Sequence, residues 1–407
     1  MAQTLKFGNK VWAAKEDSVL AYNDINNNYK PLPFDFARAS IGTRVNKDGL
    51  IETMGQDIAR IDYTDSADGV LLLENISTNL LTQSNNNFTT NQASISYNSA
   101  ISPTGENNAF KLTATGIDPF IAQDATTTST TFTLSVYAKG VGNTIGKECK
   151  FILIRDNYAE AKIGSNFILT DQWQRFETTL TLSSAPSSFV QWRCDTPDPA
   201  EIGDETLIFG GQLEALSYAT SYIATSGSTA TRAAETCNNS GNSEVFNDSE
   251  GVLFFDGSTL VNSGETRRIV LSDGTSSNRI ILEYSGALNT IYYYLVSNGV
   301  DQVALSFVLN NSNLFTKIIL KYKLNDFELW VNGFQVGADA SGSVFSNGIL
   351  NNISLIGVAA NYSFYGKTKE LGYYDTALTD AELETLTSYR NWVSMVNELN
   401  LNIIYNG

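Results

Sequence analysis

Short segments in which apolar and polar residues alternate recur along most of this 407-residue chain. In one of them Phe132, Leu134, Val136 and Ala138 alternate with Thr, Ser and Tyr side chains. A period of two places such apolar side chains on one face of a β-strand. Similar segments, separated by turn residues, continue to about residue 376, so the sequence predicts an all-β fold built from β-sandwiches.

Composition supports this prediction. Charged residues make up 17% of the chain, below the roughly 25% of an average globular protein. The chain has 30 glycines and 11% aromatic residues, which suits strands joined by many tight turns. Hydrophobic residues reach 42%, enough for cores, and the length predicts two or three domains.

Charge and residue types exclude several function classes. With 26 Lys and Arg against 43 Asp and Glu, the net charge is −17, which disfavours binding to nucleic acid or to a membrane surface. The chain has no histidine, which removes histidine-based catalysis and histidine-rich metal sites. Cys149, Cys194 and Cys237 are far apart, so we expect neither a disulfide framework nor a zinc site.

The N-terminal sequence has no apolar signal-peptide segment. We therefore expect a protein that is made in a bacterial cytoplasm and released by lysis, as parts of a virion are.

Two local motifs are specific. Asn332-Gly333 lies between two apolar segments and predicts a type I′ hairpin turn. Thr379 followed by Glu382 forms a capping-box pattern, which predicts the start of a helix over residues 379–396.

The segment RASIGTRVNKDGLIE at 38–52 begins an ordered pattern that continues with RIDY at 60–63, GVLLLE at 69–74 and TNLL at 78–81. The pattern resembles one found in tailed-bacteriophage structural proteins, where it precedes a carbohydrate-binding-like jelly roll. The segments 171–175, 209–214, 220–223 and 231–234 resemble later parts of that jelly roll.

The segments FELWVNGFQVG at 327–337 and LGYYDTALTDAELETL at 371–386 are similar to concanavalin A-like (laminin G-type) lectin sandwiches. That fold is shared by lectins and by structural spacers, so it does not fix a function.

These patterns predict a jelly-roll β-sandwich followed by a concanavalin A-like β-sandwich, with an N-terminal arm and a short C-terminal helix. The predicted parts are an arm (1–34), a β-hairpin module (35–84), the jelly roll (85–236), a linker (237–250), the lectin-like domain (251–376), and a C-terminal helix and tail (377–407). For the first 34 residues, the alternative is that they add strands to a neighbouring domain.

The resemblance implies a non-catalytic head or tail fibre of a tailed bacteriophage, located in the virion, that adheres to host or mucosal glycans. Such fibres are usually homotrimers that contact capsid or tail proteins. The alternatives are a secreted or surface carbohydrate-binding adhesin or accessory module, and a structural capsid-decorating spacer without a ligand. No catalytic motif is evident, and the sequence predicts no enzyme.

Aromatic side chains that stack on sugars are the first candidate site residues. Tyr292 and Tyr294 share one face of a predicted strand, so we assign them as carbohydrate-binding candidates. An ordinary sandwich face or a subunit contact is the alternative.

Two further groups are candidates. The loop that carries Asp195, Asp198 and Glu201 could supply oxygen ligands to a structural calcium ion, with a solvated acidic loop as the alternative. No other cofactor is expected. The terminal aromatic residues are candidates for virion docking or oligomer contacts: Trp12, Tyr22 and Trp392.

Overall fold

The computed structural model describes residues 1–262, 265–358, 361–389 and 391–398. Within them the chain is almost entirely antiparallel β-structure with two short helices near the C-terminus, which confirms the all-β prediction. The helices are α1 (Asp380–Thr387) and α2 (Trp392–Glu398). The strands are β1 Leu5–Gly8, β2 Ala14–Lys15, β3 Ser18–Asn23, β4 Asn28–Ala37, β5 Gly42–Val45, β6 Ile51–Met54, β7 Arg60–Asp62, β8 Val70–Leu73, β9 Ser77–Asn79, β10 Thr89–Asn91, β11 Ala93–Ala100, β12 Ala109–Ala114, β13 Phe120–Ala125, β14 Thr131–Val141, β15 Glu148–Arg155, β16 Glu160–Ile163, β17 Phe167–Ile168, β18 Gln174–Thr181, β19 Val190–Asp195, β20 Glu205–Glu214, β21 Ala230–Arg232, β22 Thr236–Asn238, β23 Glu250–Thr259, β24 Arg267–Ser272, β25 Arg279–Tyr284, β26 Thr290–Ser297, β27 Val300–Val308, β28 Thr316–Lys323, β29 Phe327–Val331, β30 Phe334–Asp339, β31 Asn352–Ser354 and β32 Gly366–Tyr374.

The chain forms two compact units that are interleaved in sequence. The first unit comprises Met1–Ala39, Gln56–Asn75 and the described part of Ala234–Gly407. The second unit comprises Ser40–Gly55 and Ile76–Ala233. These bounds differ from the sequence-based ones, which follow chain order, because strands pair with partners that are far away along the chain.

The second unit is a β-sandwich. One sheet has the order β11-β12-β20-β14-β18 and the other β10-β13-β19-β15-β16, with β17 also paired to β15. Side chains from both sheets meet in one core, in which Trp192 of β19 is fully buried. Phe132 and Leu134 of β14 belong to this core, as their alternation predicts.

The first unit is also a sandwich. Its large sheet has the central order β22-β4-β3-β1-β32-β23-β28-β29-β30, and its smaller sheet has the order β27-β26-β25-β24-β31. The core between them takes side chains such as Leu253 and Leu320 from the large sheet and Ile269 and Tyr293 from the smaller one.

Residues 1–34, for which the sequence suggests an arm or additional strands, contribute strands to this large sheet. Strand β1 pairs with β32, with Leu5 opposite Tyr373, and β3 pairs with β1. Leu5 and Phe7 are buried in the core of the first unit, so the segment packs as part of that unit.

The predicted linker at 237–250 is likewise structured. Strand β22 pairs with β4, and Cys237, Val245 and Phe246 are buried in the core of the first unit. The segment is rich in small polar residues, but its few large apolar residues are the ones that pack.

The predicted helix is present but divided. Glu382 accepts hydrogen bonds from the backbone N–H and the hydroxyl of Thr379, at 2.9 and 2.8 Å, which confirms the capping box. The helix ends at Thr387, the backbone of the following Ser388 is extended, and a second helix begins at Trp392. No described helix is long and apolar enough to span a bilayer.

The predicted type I′ turn is confirmed. Asn332 and Gly333 have φ angles of 48° and 90°, and they join β29 to β30. A type I′ turn needs positive φ at both central residues, which Asn and Gly tolerate.

Candidate functional site

The smaller sheet of the first unit contains four consecutive strands, β24 to β27, that pair as an antiparallel meander. In β26 the side chains of Ile291, Tyr293 and Leu295 point into the core. Tyr292 and Tyr294 therefore lie on the outer face, as the period of two predicts.

Tyr292 and Tyr294 form a stacked pair, which we call the tyrosine platform. Their ring centroids are 5.2 Å apart and their planes are inclined by 7°. Both side chains are half-buried, whereas Tyr293 between them is fully buried. Two parallel, partly exposed rings on a rigid strand are a geometry on which the C–H face of a sugar can stack.

A row of polar residues crosses the sheet beside Tyr292. The register places Arg268, Glu283, Tyr292 and Ser306 opposite one another on β24 to β27. Nη2 of Arg268 lies 2.6 Å from Oε2 of Glu283. The same guanidinium lies over the ring of Tyr362, 4.4 Å from its centroid. These contacts fix the charged side chains of Arg268 and Glu283 beside the tyrosine platform.

A second polar row lies on the other side of Tyr294. Here Val296 of β26 lies opposite Arg279 of β25 on one side and opposite Asp301 of β27 on the other. Burial lowers the pKa of Arg279, and the nearby charge of Arg268 lowers it further. Nε of Arg279 is buried and has no hydrogen-bond partner among the described residues, so it retains a donor.

Between these two polar rows, the residues paired with Tyr294 have small or apolar side chains, and the sheet edge lies beyond them. Tyr294 has Ile281 on one side and Ala304 on the other. Ala304 and Ser306 are exposed, small residues on β27, which is the edge strand. Their short side chains leave space beside the rings for a ligand.

The hydroxyl of Tyr294 stays protonated at neutral pH. Burial raises its pKa, and the negative charge of Glu283 and the neighbouring Tyr292 raise it further. A protonated phenol can donate a hydrogen bond to a ligand hydroxyl as well as accept one.

The predicted calcium ligands are not brought together. Asp195 is 1% exposed and accepts hydrogen bonds from the guanidinium of Arg193, including one of 2.9 Å from Nη2. Asp198 pairs with Lys150, and Glu201 is exposed. Within the described ranges no group of three or more His, Cys, Asp or Glu side chains could hold a metal ion. Arg193 on the same strand pairs with Asp195, and Lys150 on β15 pairs with Asp198, so the arrangement does not fit a calcium site.

The terminal aromatic candidates have different environments. Trp12 is partly buried and donates from Nε1 to the carbonyl of Gly69 at 3.1 Å. Tyr22 packs edge-on against Tyr29 at 5.1 Å. Trp392 is 61% exposed on α2. Of these three candidates, Trp392 is the one with a large free surface.

Sequence reasoning found the two tyrosines but missed their charged neighbours, which are Arg268, Arg279, Glu283 and Asp301. Four consecutive strands joined by short turns indicate an antiparallel meander, and this pattern is visible in the sequence. The alternation of apolar and polar residues does not give the register that places the charged residues beside the tyrosines.

No family model and no curated protein matches this chain. Part of the chain is similar to a leech intramolecular trans-sialidase, with 16% identity and a TM-score of 0.31 over 36% of this chain and 24% of that chain. The chain thus spans about a quarter of that enzyme's length.

Two further similar structures come from Paenibacillus barcinonensis Xyn10C. Its CBM22-1 xylan-binding domain is 15% identical, with a TM-score of 0.26 over 35% of this chain and 94% of the domain. Its tandem of CBM22-1 and CBM22-2 is 10% identical, with a TM-score of 0.27 over 75% of this chain and 99% of the tandem. At these TM-scores and identities the likenesses assign neither a family nor a ligand.

Proposed function

We propose that this chain is a non-catalytic carbohydrate-binding protein and that the tyrosine platform is a sugar-binding surface. The observation that carries the proposal is the parallel stacking of Tyr292 and Tyr294 on the outer face of a sandwich. Polar rows on both sides offer donors and acceptors for sugar hydroxyls, with Arg268 and Glu283 in one and Arg279 and Asp301 in the other.

The positions and ion pairing of the carboxylates beside the platform favour binding over catalysis. Glycoside hydrolysis uses two carboxyl groups that flank the scissile bond. Glu283 is held by Arg268, and Asp301 lies in the other row, beyond Tyr294. The arrangement suits orientation of a ligand.

We further propose that the chain acts as a head or tail fibre of a tailed bacteriophage. Support comes from the ordered pattern over residues 38–81, which resembles phage structural proteins, and from the acidic, histidine-free composition. In this proposal the chain is a homotrimer, assembles in the host cytoplasm and contacts capsid or tail proteins. The N-terminal aromatic residues and the exposed Trp392 are candidates for these contacts.

A repeated chain would make weak sugar sites effective. Several identical sites on one particle bind a glycan-coated surface with an avidity that exceeds the affinity of each site. One small aromatic platform per chain is therefore compatible with adhesion.

A glycan array probed with the full chain, displayed in many copies on beads, tests the binding proposal. We expect retention on at least one class of glycan. Absence of binding at high valency would contradict the binding proposal, and a structural spacer without a ligand would be the remaining alternative.

Two other measurements test the proposed setting. Mass spectrometry of purified phage particles should find the chain in the virion, whereas a secreted adhesin would be found without particles. Sedimentation of the full chain at micromolar concentration should give a trimer, and a monomer would contradict the proposed homotrimer.

A further inference from the structure

A polar cleft lies on the outer face of the large sheet of the first unit, with a volume of about 560 Å³. Strands β1, β32, β23 and β28, which are neighbours in the sheet, form its floor. Residues from the turn between β7 and β8 and from α1 and α2 line its walls. Small-molecule sites commonly occupy roughly 300–1,000 Å³, so the cleft has room for a ligand.

The floor carries two carboxylates next to each other. The register places Glu370 of β32 directly opposite Asp256 of β23, and Asp256 opposite Lys317 of β28. In antiparallel sheets such opposed side chains start about 5 Å apart. Lys6 and Lys369 also line the cleft, so it contains both negative and positive groups.

A buried amide lines the cleft with an unused acceptor. Gln3 is 3% exposed, and its Nε2 donates to Oε1 of Glu370 at 2.6 Å and to the hydroxyl of Tyr374 at 3.1 Å. Its Oε1 is buried without a hydrogen-bond partner in the described part of the chain. A buried acceptor without a donor is costly, so the two hydrogen bonds from Nε2 are what fix the amide beside Glu370 and Tyr374.

Gly372 explains how Gln3 reaches this position. A Cβ built on Gly372 would lie 2.2 Å from Oε1 of Gln3, so only glycine leaves room for the amide over β32. The amide is therefore held in place by the sheet beneath it as well as by its two hydrogen bonds.

Two aromatic residues form part of the cleft wall. Phe254 and Tyr374 line it beside the charged row and pack with Trp330 and Leu383 beneath α1. They are only 4% and 3% exposed, so mainly polar groups face a ligand, as suits the hydroxyl rim of a sugar.

Charge argues against the other simple ligands. A phosphate would lie against Asp256 and Glu370, while an amine would lie against Lys6, Lys317 and Lys369. Burial raises the pKa of Glu370 despite the opposing effects of Lys6 and Gln3. A neutral molecule with several hydroxyl groups can satisfy donors and acceptors of both kinds.

We propose that this cleft is a second binding site, which takes one uncharged hexose-sized sugar residue between its carboxylates and its lysines. The proposal deepens the proposed function, because it adds a site and a ligand class to the same carbohydrate-binding activity. It uses none of the residues of the tyrosine platform.

The test is saturation-transfer NMR on the full chain with methyl glycosides of glucose, galactose, mannose and N-acetylglucosamine. We expect binding of at least one of them by the wild type and by the platform variant Y292A/Y294A. Two cleft variants should weaken that binding at least tenfold: Q3L, which removes the amide, and T385W, which fills the cleft from the exposed helix position Thr385.

The matched control is E384W, because Glu384 is an exposed neighbour on α1 that does not line the cleft. It should bind as the wild type does. Thermal unfolding of each variant shows that it is folded, and T385W keeps the test valid if Q3L does not fold.

The proposal is overturned if no methyl glycoside binds, if T385W binds as well as E384W does, or if inorganic phosphate or ethylammonium binds the cleft instead. Loss of binding in Y292A/Y294A with wild-type behaviour of T385W would leave the platform as the site and reject the cleft. The opposite pattern would reject the platform and retain the cleft.

Discussion

Arg60 and Glu235 form a fully buried ion pair, although 175 residues separate them in the chain. Nε of Arg60 donates to Oε1 of Glu235 at 2.8 Å, and Nη2 donates to Oε2. Glu235 also accepts from Arg38 at 2.7 Å and from the backbone N–H of Glu74 at 2.9 Å, while Nη1 of Arg60 lies 2.8 Å from Oε2 of Glu74. Burial disfavours the charge on Arg60, but Glu235 and Glu74 outweigh it and raise the pKa of Arg60.

This network explains part of the sequence pattern that resembles phage proteins. Arg38, Arg60 and Glu74 belong to that pattern, and Glu235 directly follows the segment 231–234, which resembles a later part of the jelly roll. The four residues come from the three chain segments that make up the first unit, so the network joins those segments. The pattern therefore contains residues that stabilise the fold.

We predict that Glu235→Ala destabilises the protein by about 3–5 kcal/mol, because it leaves two buried guanidinium groups without their shared carboxylate. Glu244→Ala is the control, since Glu244 is an exposed glutamate of the same unit. Urea unfolding of both variants measures the difference. A change as small as that of the control would show that the network contributes little.

Local patterns predicted many of the strands correctly, because alternation and turn residues act over a few neighbours. The alternating segment from Phe132 to Ala138 lies within β14, and the predicted Asn332-Gly333 turn joins β29 to β30. Partners were not predictable in the same way. Nothing near Leu5 indicates that it pairs with Tyr373, because that contact depends on the packing of the whole sheet.

The candidate sites show the same limit. The platform was found because Tyr292 and Tyr294 are two residues apart on one strand. The cleft was missed because Gln3, Asp256 and Glu370 are far apart in sequence and meet only through sheet pairing. The acidic loop was a candidate metal site because the sequence does not show that Arg193 pairs with Asp195 or that Lys150 pairs with Asp198.

Acid should weaken the second unit through Asp156. Its carboxylate accepts hydrogen bonds from the backbone N–H groups of Ser187, Ser188 and Phe189, at 2.8, 2.8 and 3.1 Å, and the first of these contributes most to lowering its pKa to about 2. The unfolded chain then binds more protons than the folded one between about pH 4 and pH 2, so stability falls as the pH falls through that window.

Asp156→Asn should reduce this loss, because the asparagine does not titrate. Asp171→Asn, at an exposed position of the same unit, is the control. Urea midpoints measured from pH 2 to pH 5 give the comparison. An unchanged pH dependence in Asp156→Asn would contradict the assignment.

The thiols should be unreactive in the folded protein. Cys149, Cys194 and Cys237 are buried, and burial is the main cause that raises the pKa of each thiol. Because the thiolate is the reactive form, we expect negligible reaction with Ellman's reagent at pH 8 without denaturant, and complete reaction in guanidinium chloride. Rapid labelling of any thiol in the folded chain would contradict the described core.

The most direct test of the central claim is titration of a glycan identified on the array against the wild type, Y292A/Y294A and F334A by isothermal calorimetry. Phe334 is the matched control, because it is an aromatic residue 72% exposed on the other sheet of the same unit. Removing two stacking rings should weaken binding by about fivefold to 150-fold, since aromatic contacts contribute roughly 0.5–1.5 kcal/mol each. We expect F334A to bind as the wild type does and Y292A/Y294A to lose that affinity, whereas equal affinity of all three proteins would contradict the platform as the binding site.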